Sequence, residues 1–292
     1  MEAISKMQSS RPFSPICNLL PMKRRDLLSA AGLMGIASQT GSALFSNSPE
    51  APGLQPSRPD RQYYELRKYH LLNTANQDTL NTFLRDAALP ALNRLGITPV
   101  GVFNVKYGPN EPTLYVLLPH PSLESVATLS ARLAGDEQFV EEGAPFLEAS
   151  IDDPAFVRME SSLKVAFDEM PELAVPALAE EDASRLFELR TYESHGPTAA
   201  RRKVEMFNEG GEIDIFLDVG LTPVFFSETL IGDNLPNLTY MLVFENLQER
   251  DAAWDRFLDH PDWKELAQNE YYNNTVSNIR DIILQPAPYS QI

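Results

Sequence analysis

An α+β fold made of two tandem copies of one β-α-β-β-α-β unit, with antiparallel sheets facing each other, follows from three matches within the sequence. Glu65-Leu66-Arg67-Lys68-Tyr69 returns as Glu188-Leu189-Arg190-Thr191-Tyr192, and Gly96-Ile97-Thr98-Pro99-Val100 as Gly220-Leu221-Thr222-Pro223-Val224. Leu114-Tyr115-Val116-Leu117 is matched by Thr239-Tyr240-Met241-Leu242. The matches keep their order and an offset of about 124 residues, the mark of a duplicated unit.

In the first unit, residues 61–166, Tyr63 to Leu71 alternates in side-chain character and predicts a strand. Leu80, Phe83, Leu84, Ala87, Ala91 and Leu95 fall at helical spacing, with Pro90 placed to kink or interrupt that helix. Gly96 ends it. Thr98 to Val105 and Thr113 to Leu118 then form a hairpin around Gly108, Pro109 and Asn110. A helix opening at Pro121-Ser122 puts Leu123, Val126, Ala127, Ser130 and Leu133 on one face. An irregular acidic segment with Phe139 and Phe146 follows, and a strand near Ser161 to Phe167 completes the ferredoxin-like order.

Residues 167–184, rich in proline and acid, read as a linker. The second unit, 185–292, repeats the plan. Its first helix carries Val204 and Phe207, breaks at Gly210-Gly211 and resumes at Ile213 to Leu217. Trp254, Phe257 and Leu258 line the next helix, Trp263 matches Phe139, and Ile279 to Leu284 is the last strand.

The hairpin strands are apolar on both sides. Val100 and Val102 oppose Phe103 and Val105, and Met241 and Val243 oppose Tyr240 and Leu242. Helices cover only one face of each sheet, and two-sided apolarity marks a sheet covered on both. The other unit's sheet is the expected cover, within one chain or across a homo-oligomer. At roughly 25 cal/mol per Å² this burial is worth several kcal/mol. On this arrangement Glu65, Arg67 and Tyr69, with Glu188, Arg190 and Tyr192, point inward between the sheets.

The 292 residues suffice for two domains, each with its own core. The formal charge is −17, and because residues 1–43 carry five Lys/Arg against two acids, the remainder stands at −20. Such a surface repels nucleic acid and anionic lipid heads. The single cysteine, Cys17, precedes the folded region, which excludes disulfides and thiolate chemistry from the body.

Lys23-Arg24-Arg25-Asp26-Leu27-Leu28 sets twin arginines before an apolar run, Leu27 to Ala37, too short to span a bilayer, with Gly41 and Ala43 offering a cleavage site. Residues 22–43 thus resemble a twin-arginine signal peptide, which implies export to a bacterial periplasm and no membrane span in the mature protein. Pro12, Pro15 and Pro21 suit no signal, so residues 1–21 read as an upstream mis-start with translation beginning at Met22. Residues 44–60, rich in proline and serine, read as a disordered linker.

Taken together, the Tyr/Phe-Glu-Leu-Arg-x-Tyr strand, Gly-Ile/Leu-Thr-Pro-Val, the segment from Trp254 to Trp263 and the tail at Ser290 resemble the NIPSNAP family over 61–166 and 185–292. The resemblance implies the dimeric α/β-barrel superfamily, which also holds small monooxygenases and haem-handling enzymes. It implies no agreed chemistry; the animal members are associated with mitochondria and vesicle traffic.

The repeated Glu-x-Arg-x-Tyr triplet is the leading candidate for ligand contacts, because residues two apart on a strand share a face roughly 6.6 to 6.8 Å apart. Arg67 or Arg190 suits a carboxylate or enolate, and Tyr69 or Tyr192 a proton. The competing reading is a structural ion pair, which repetition favours. Tyr115 and Tyr240 of the hairpins complete the candidate set. His70, His120, His195 and His260 show no metal-ligand spacing, and no catalytic constellation or cofactor motif stands out, so no metal and no cofactor is expected. Two functions follow: small-ligand binding or a non-catalytic assembly role, or a monooxygenase-like or isomerase-like enzyme acting on a small apolar or aromatic compound. A chamber of several hundred Å³ touching Arg67 or Arg190 would mark a ligand site, and a filled interior a scaffold.

Overall fold

The computed structural model describes residues 61–108, 112–177 and 185–292. Cys17, the export signal, the start at Met22 and the linker at 44–60 lie outside the described residues, as do 178–184 of the second linker.

The first repeat runs β1 (Tyr63–His70), α1 (Thr74–Phe83), a π turn (Leu84–Ala88), α2 (Leu89–Arg94), β2 (Gly101–Tyr107), β3 (Thr113–His120), α3 (Leu123–Ala134), α4 (Glu137–Leu147) and β4 (Arg158–Ala166). The second runs β5 (Leu186–Glu193), α5 (Pro197–Phe207), α6 (Glu212–Asp218), β6 (Thr222–Ile231), β7 (Asn237–Phe244), α7 (Leu247–Asp259), α8 (Pro261–Leu266) and β8 (Asn278–Pro286). Pro90 cannot donate to a carbonyl four residues back, and just ahead of it the helix widens so that Leu89 N–H reaches Leu84 O, five back. The second repeat instead breaks at Gly211, whose φ of 83° suits glycine.

Two segments differ from expectation. The acidic stretch around Phe139 is a helix, because Asp136 caps it by accepting from Phe139 N–H and Phe139 turns into the core. In α3 the buried positions are Ser125 and Leu129, while Leu123 is exposed; Ser122 caps the helix, and Ser125 meets the buried His120 at 3.0 Å, which sets the rotation.

Each repeat forms an antiparallel four-stranded sheet, β2-β3-β1-β4 and β6-β7-β5-β8. The sheets join at their edges, β2 with β8 and β4 with β6, into a closed eight-stranded barrel within one chain. The interior is reached from both repeats, and the helices lie outside over two separate cores. Tyr69, Leu80, Phe83, Val102 and Val116 belong to the core under α1 to α4; Tyr192, Phe207, Phe216, Tyr240 and Phe257 belong to the one under α5 to α8. Inside the barrel, Tyr64, Phe103, Phe187, Phe225, Met241 and Leu284 fill one half. Phe103 meets Phe187 edge-on at 4.9 Å between ring centres, and Tyr64 lies 5.1 Å from Phe225. The first part of the linker belongs to this body: Phe167 is buried, and Phe167 N–H and Ala174 N–H donate to Phe226 O and Val224 O.

Because both repeats supply the interior, they should unfold together. Phe187→Ala should cost about 3–5 kcal/mol and leave a single transition in urea, read in parallel by fluorescence and circular dichroism. Two separated transitions would mean that the repeats fold independently.

Candidate functional site

Strand alternation decides which residues meet a ligand, and the triplets face away from the barrel interior. Tyr64, Leu66, Lys68 and His70 alternate inward, which turns Glu65, Arg67 and Tyr69 toward the helices; β5 does the same with Glu188, Arg190 and Tyr192. The inward placement expected for both triplets is therefore corrected. Each carboxylate instead ties a strand to its surroundings. Glu65 accepts both arms of the Arg67 fork at 2.7 and 2.8 Å and the Ser161 hydroxyl at 2.8 Å, with His120 Nε2 3.7 Å away. Burial pushes the Glu65 carboxyl up, but His120, Arg67 and Ser161 overcome it and bring it down from 4.5 to about 2. Glu188, fully buried, accepts from Arg190 at 2.8 Å, from Arg250 at 2.6 and 3.1 Å and from the Trp254 indole at 2.8 Å, which fastens α7 to β5. Arg190 also lies 4.6 Å over the Trp254 ring.

Tyr115 and Tyr240 are not equivalent. Tyr69 pairs with Leu114 and Tyr192 with Leu238, so Tyr115 corresponds to Thr239 and Tyr240 to Val116. A one-residue slip exchanges the faces of a strand. Tyr240 accordingly lies under the helices, with its hydroxyl 2.8 Å from that of Tyr192, whereas Tyr115 enters the barrel.

The other half of the barrel holds a chamber of about 430 Å³. Leu66, Leu189, Ile282 and Tyr115 supply apolar wall; Lys68, His70, Glu160, Lys164, Thr191, Thr229, Asp233, Thr239, Arg280 and Asp281 supply polar groups. It touches neither Arg67 nor Arg190. Several of the lining charges are paired: Glu160 meets Lys68 at 3.4 Å and His70 at 3.0 Å, and Arg280 meets Glu193 at 2.8 Å. His70, the histidine that lines the chamber, also has Nδ1 3.4 Å from the Thr113 hydroxyl. Among the described residues, no three His, Cys, Asp or Glu cluster to hold a metal ion.

Lys164 on β4 is different. Its side chain is buried, and Nζ donates to Thr229 Oγ1 at 2.7 Å and Thr239 Oγ1 at 3.2 Å. Among the described residues it has no carboxylate partner. The Thr229 hydroxyl donates to Asn237 Oδ1 at 2.6 Å, so it must accept from the lysine. Burial first, then the positive charges of Lys68 and Arg280, lower the Lys164 amine from 10.5 to about 7. Lys164 pairs with Tyr64 where Leu284 pairs with Phe187, so the second repeat puts a leucine in its place. Sequence reasoning missed it. The available signal was a lysine sharing a strand face with Ser162 and Ala166, directly ahead of the apolar run Val165 to Phe167.

The NIPSNAP family model matches residues 64–164 and 187–291. No curated protein matches the sequence. Among solved structures, an uncharacterized NIPSNAP-like domain protein from Burkholderia xenovorans is 24% identical over 37% of this chain and 89% of its own, with a TM-score of 0.34. A NIPSNAP family protein of unknown function from Agrobacterium tumefaciens is 22% identical over 37% of this chain and 92% of its own, TM-score 0.31. A candidate monooxygenase from Lactobacillus acidophilus is 11% identical and covers 77% of this chain and 94% of its own, TM-score 0.49.

The depressed Glu65 carboxyl carries a pH signature. Its ionised form is favoured by the fold, so the contribution is complete above the ordinary value of 4.5 and is lost as pH falls toward about 2. The size is roughly 3 kcal/mol. Urea midpoints followed from pH 5 to pH 2 should drop more steeply for the native chain than for Glu65→Gln.

Proposed function

The chain belongs to the NIPSNAP family, and we propose that within it this protein is a small-molecule-binding barrel whose ligand sits in the polar half of the interior. One observation carries the reading: Lys164, an amine buried in a chamber of about 430 Å³, donates to two hydroxyls and, among the described residues, is paired with no carboxylate. A buried cation is costly unless paired. A ligand with a carboxylate or similar anionic oxygen would supply the missing partner, while Leu66, Leu189, Ile282 and the Tyr115 ring would receive an apolar body. The chamber needs no second copy, since one chain closes the barrel. A homo-oligomer would therefore assemble through outer surfaces. The monooxygenase-like or isomerase-like alternative gains no support from this lining.

The same reading includes export. The twin arginines Arg24 and Arg25 before an apolar run support a periplasmic protein carried across folded. Among the described residues no helix is long and apolar enough to cross a membrane.

In thermal-shift assays, small aromatic carboxylates such as 3-phenyllactate should raise the melting temperature at millimolar concentration. Lys164→Met should weaken this binding at least about tenfold, the effect of losing roughly 1.4 kcal/mol. Arg190→Ala should lower stability and leave binding unchanged. Binding should weaken as pH rises through about 7, where Lys164 loses its charge; Lys68, His70, Glu160, Arg280, Asp233 and Asp281 share its chamber, and Tyr115 stays protonated, pushed up to about 12 by burial first and then Glu160. If no anion among such carboxylates shifts the transition, or if Lys164→Met binds as well as the native chain, the reading fails. Separately, Arg24→Lys with Arg25→Lys should leave the precursor in the cytoplasmic fraction of a host with twin-arginine transport; continued periplasmic recovery would refute export by that route.

A further inference from the structure

The surroundings of Lys164 specify more than a counter-ion. Two of its N–H groups are directed at Thr229 and Thr239, at 2.7 and 3.2 Å, and Thr239 is itself 3.2 Å from the Thr191 hydroxyl. These contacts fix the end of a flexible stem. In the neutral amine they engage the two protons and leave the nitrogen lone pair pointing away from the threonines, the geometry a nucleophile requires. A lysine buried against hydroxyls and near the cations Lys68 and Arg280, with no carboxylate paired to it, is an arrangement in which amines attack carbonyl groups. Tyr115 lines the same chamber, and among the described residues its hydroxyl has no hydrogen-bond partner. Resting on the ligand-binding reading above, we propose that Lys164 captures a small carbonyl compound, an aromatic or aliphatic 2-oxo acid or aldehyde, as an imine within the barrel.

The chemistry balances without any oxidant or reductant. The Nζ lone pair attacks the carbonyl carbon and forms the N–C bond as the carbonyl π electrons pass to oxygen. One proton moves from nitrogen to that oxygen, giving a carbinolamine. The hydroxyl takes a second proton from the Tyr115 hydroxyl and leaves as water while the nitrogen lone pair closes the C=N bond, and the resulting iminium gives its N–H proton back to the Tyr115 phenolate, leaving the neutral imine. With the amine lowered to about 7, an appreciable neutral fraction is present at physiological pH. Lys68 differs because Glu160, 3.4 Å away, keeps its ammonium paired. Lys203 differs because Glu212 lies 2.6 Å from it beneath the helices, outside the chamber.

The test uses the full chain with phenylpyruvate as the probe and cyanoborohydride added to reduce any imine to a stable amine, read by intact mass and peptide mapping at pH 6 to 8. The expected result is one adduct, on the peptide carrying Lys164, at least about tenfold above any other lysine and increasing with pH. Lys164→Arg, which keeps charge and stem, should abolish it. Thr239→Val, which leaves the amine but removes one of its acceptors, should slow it. 3-Phenyllactate, with the same carboxylate and ring but no carbonyl, should form no adduct and should compete. If both compounds raise the melting temperature equally and no adduct maps to Lys164, imine capture is overturned and the binding site stands. If neither compound binds and none reacts, both readings fall. Labelling spread evenly over the lysines also overturns the proposal.

Discussion

A four-stranded sheet has two edges of unpaired N–H and C=O groups, and this chain satisfies all four edges by pairing β2 with β8 and β4 with β6. Closure removes the exposed edges that otherwise invite pairing with other chains. It also forces every strand to have an inside and an outside. The outside of each repeat is covered by its own helices, and the inside is shared. Everything that distinguishes the halves of the barrel, a packed apolar end and a polar end that encloses the chamber, depends on that shared space.

Duplication has different consequences on the two faces. Outside, the triplets repeat because each repeat must anchor its own surroundings: Glu65 gathers Arg67 and Ser161, with His120 close by, and Glu188 gathers Arg190, Arg250 and Trp254. Inside, there is one chamber for two repeats, so symmetry is free to lapse. Lys164 stands opposite Tyr64 where the second repeat has Leu284 opposite Phe187, and Tyr115 stands where the second repeat has Thr239. Chemistry in a duplicated barrel is thus sought in the inward residues that differ between repeats, and architecture in the outward ones that agree.

The repeat pattern made much of the fold legible. Strand and helix order could be taken from alternation and helical spacing, and both interruptions of the first helix from Pro90 and Gly210-Gly211. The helix at Phe139 was hidden because its start depends on one cap, Asp136, rather than on a periodic run. The chamber was hidden for a different reason. In strands apolar on both sides, such as Val100 to Val105 or Tyr240 to Val243, composition does not say which face the helices take, and the triplets were placed on the wrong one. A single-residue slip in matching Leu114 to Thr239 then made Tyr115 and Tyr240 look like copies.

By itself the sequence determined that there are two units, what their elements are and that each sheet must be covered twice, because side-chain periodicity is a local property of the chain. Only the tertiary structure decided that the sheets meet edge to edge in one chain, which face turns inward, and that Lys164 ends up buried against threonines with no carboxylate paired to it. Those outcomes depend on register between strands far apart in sequence, where a shift of one residue reverses every side chain.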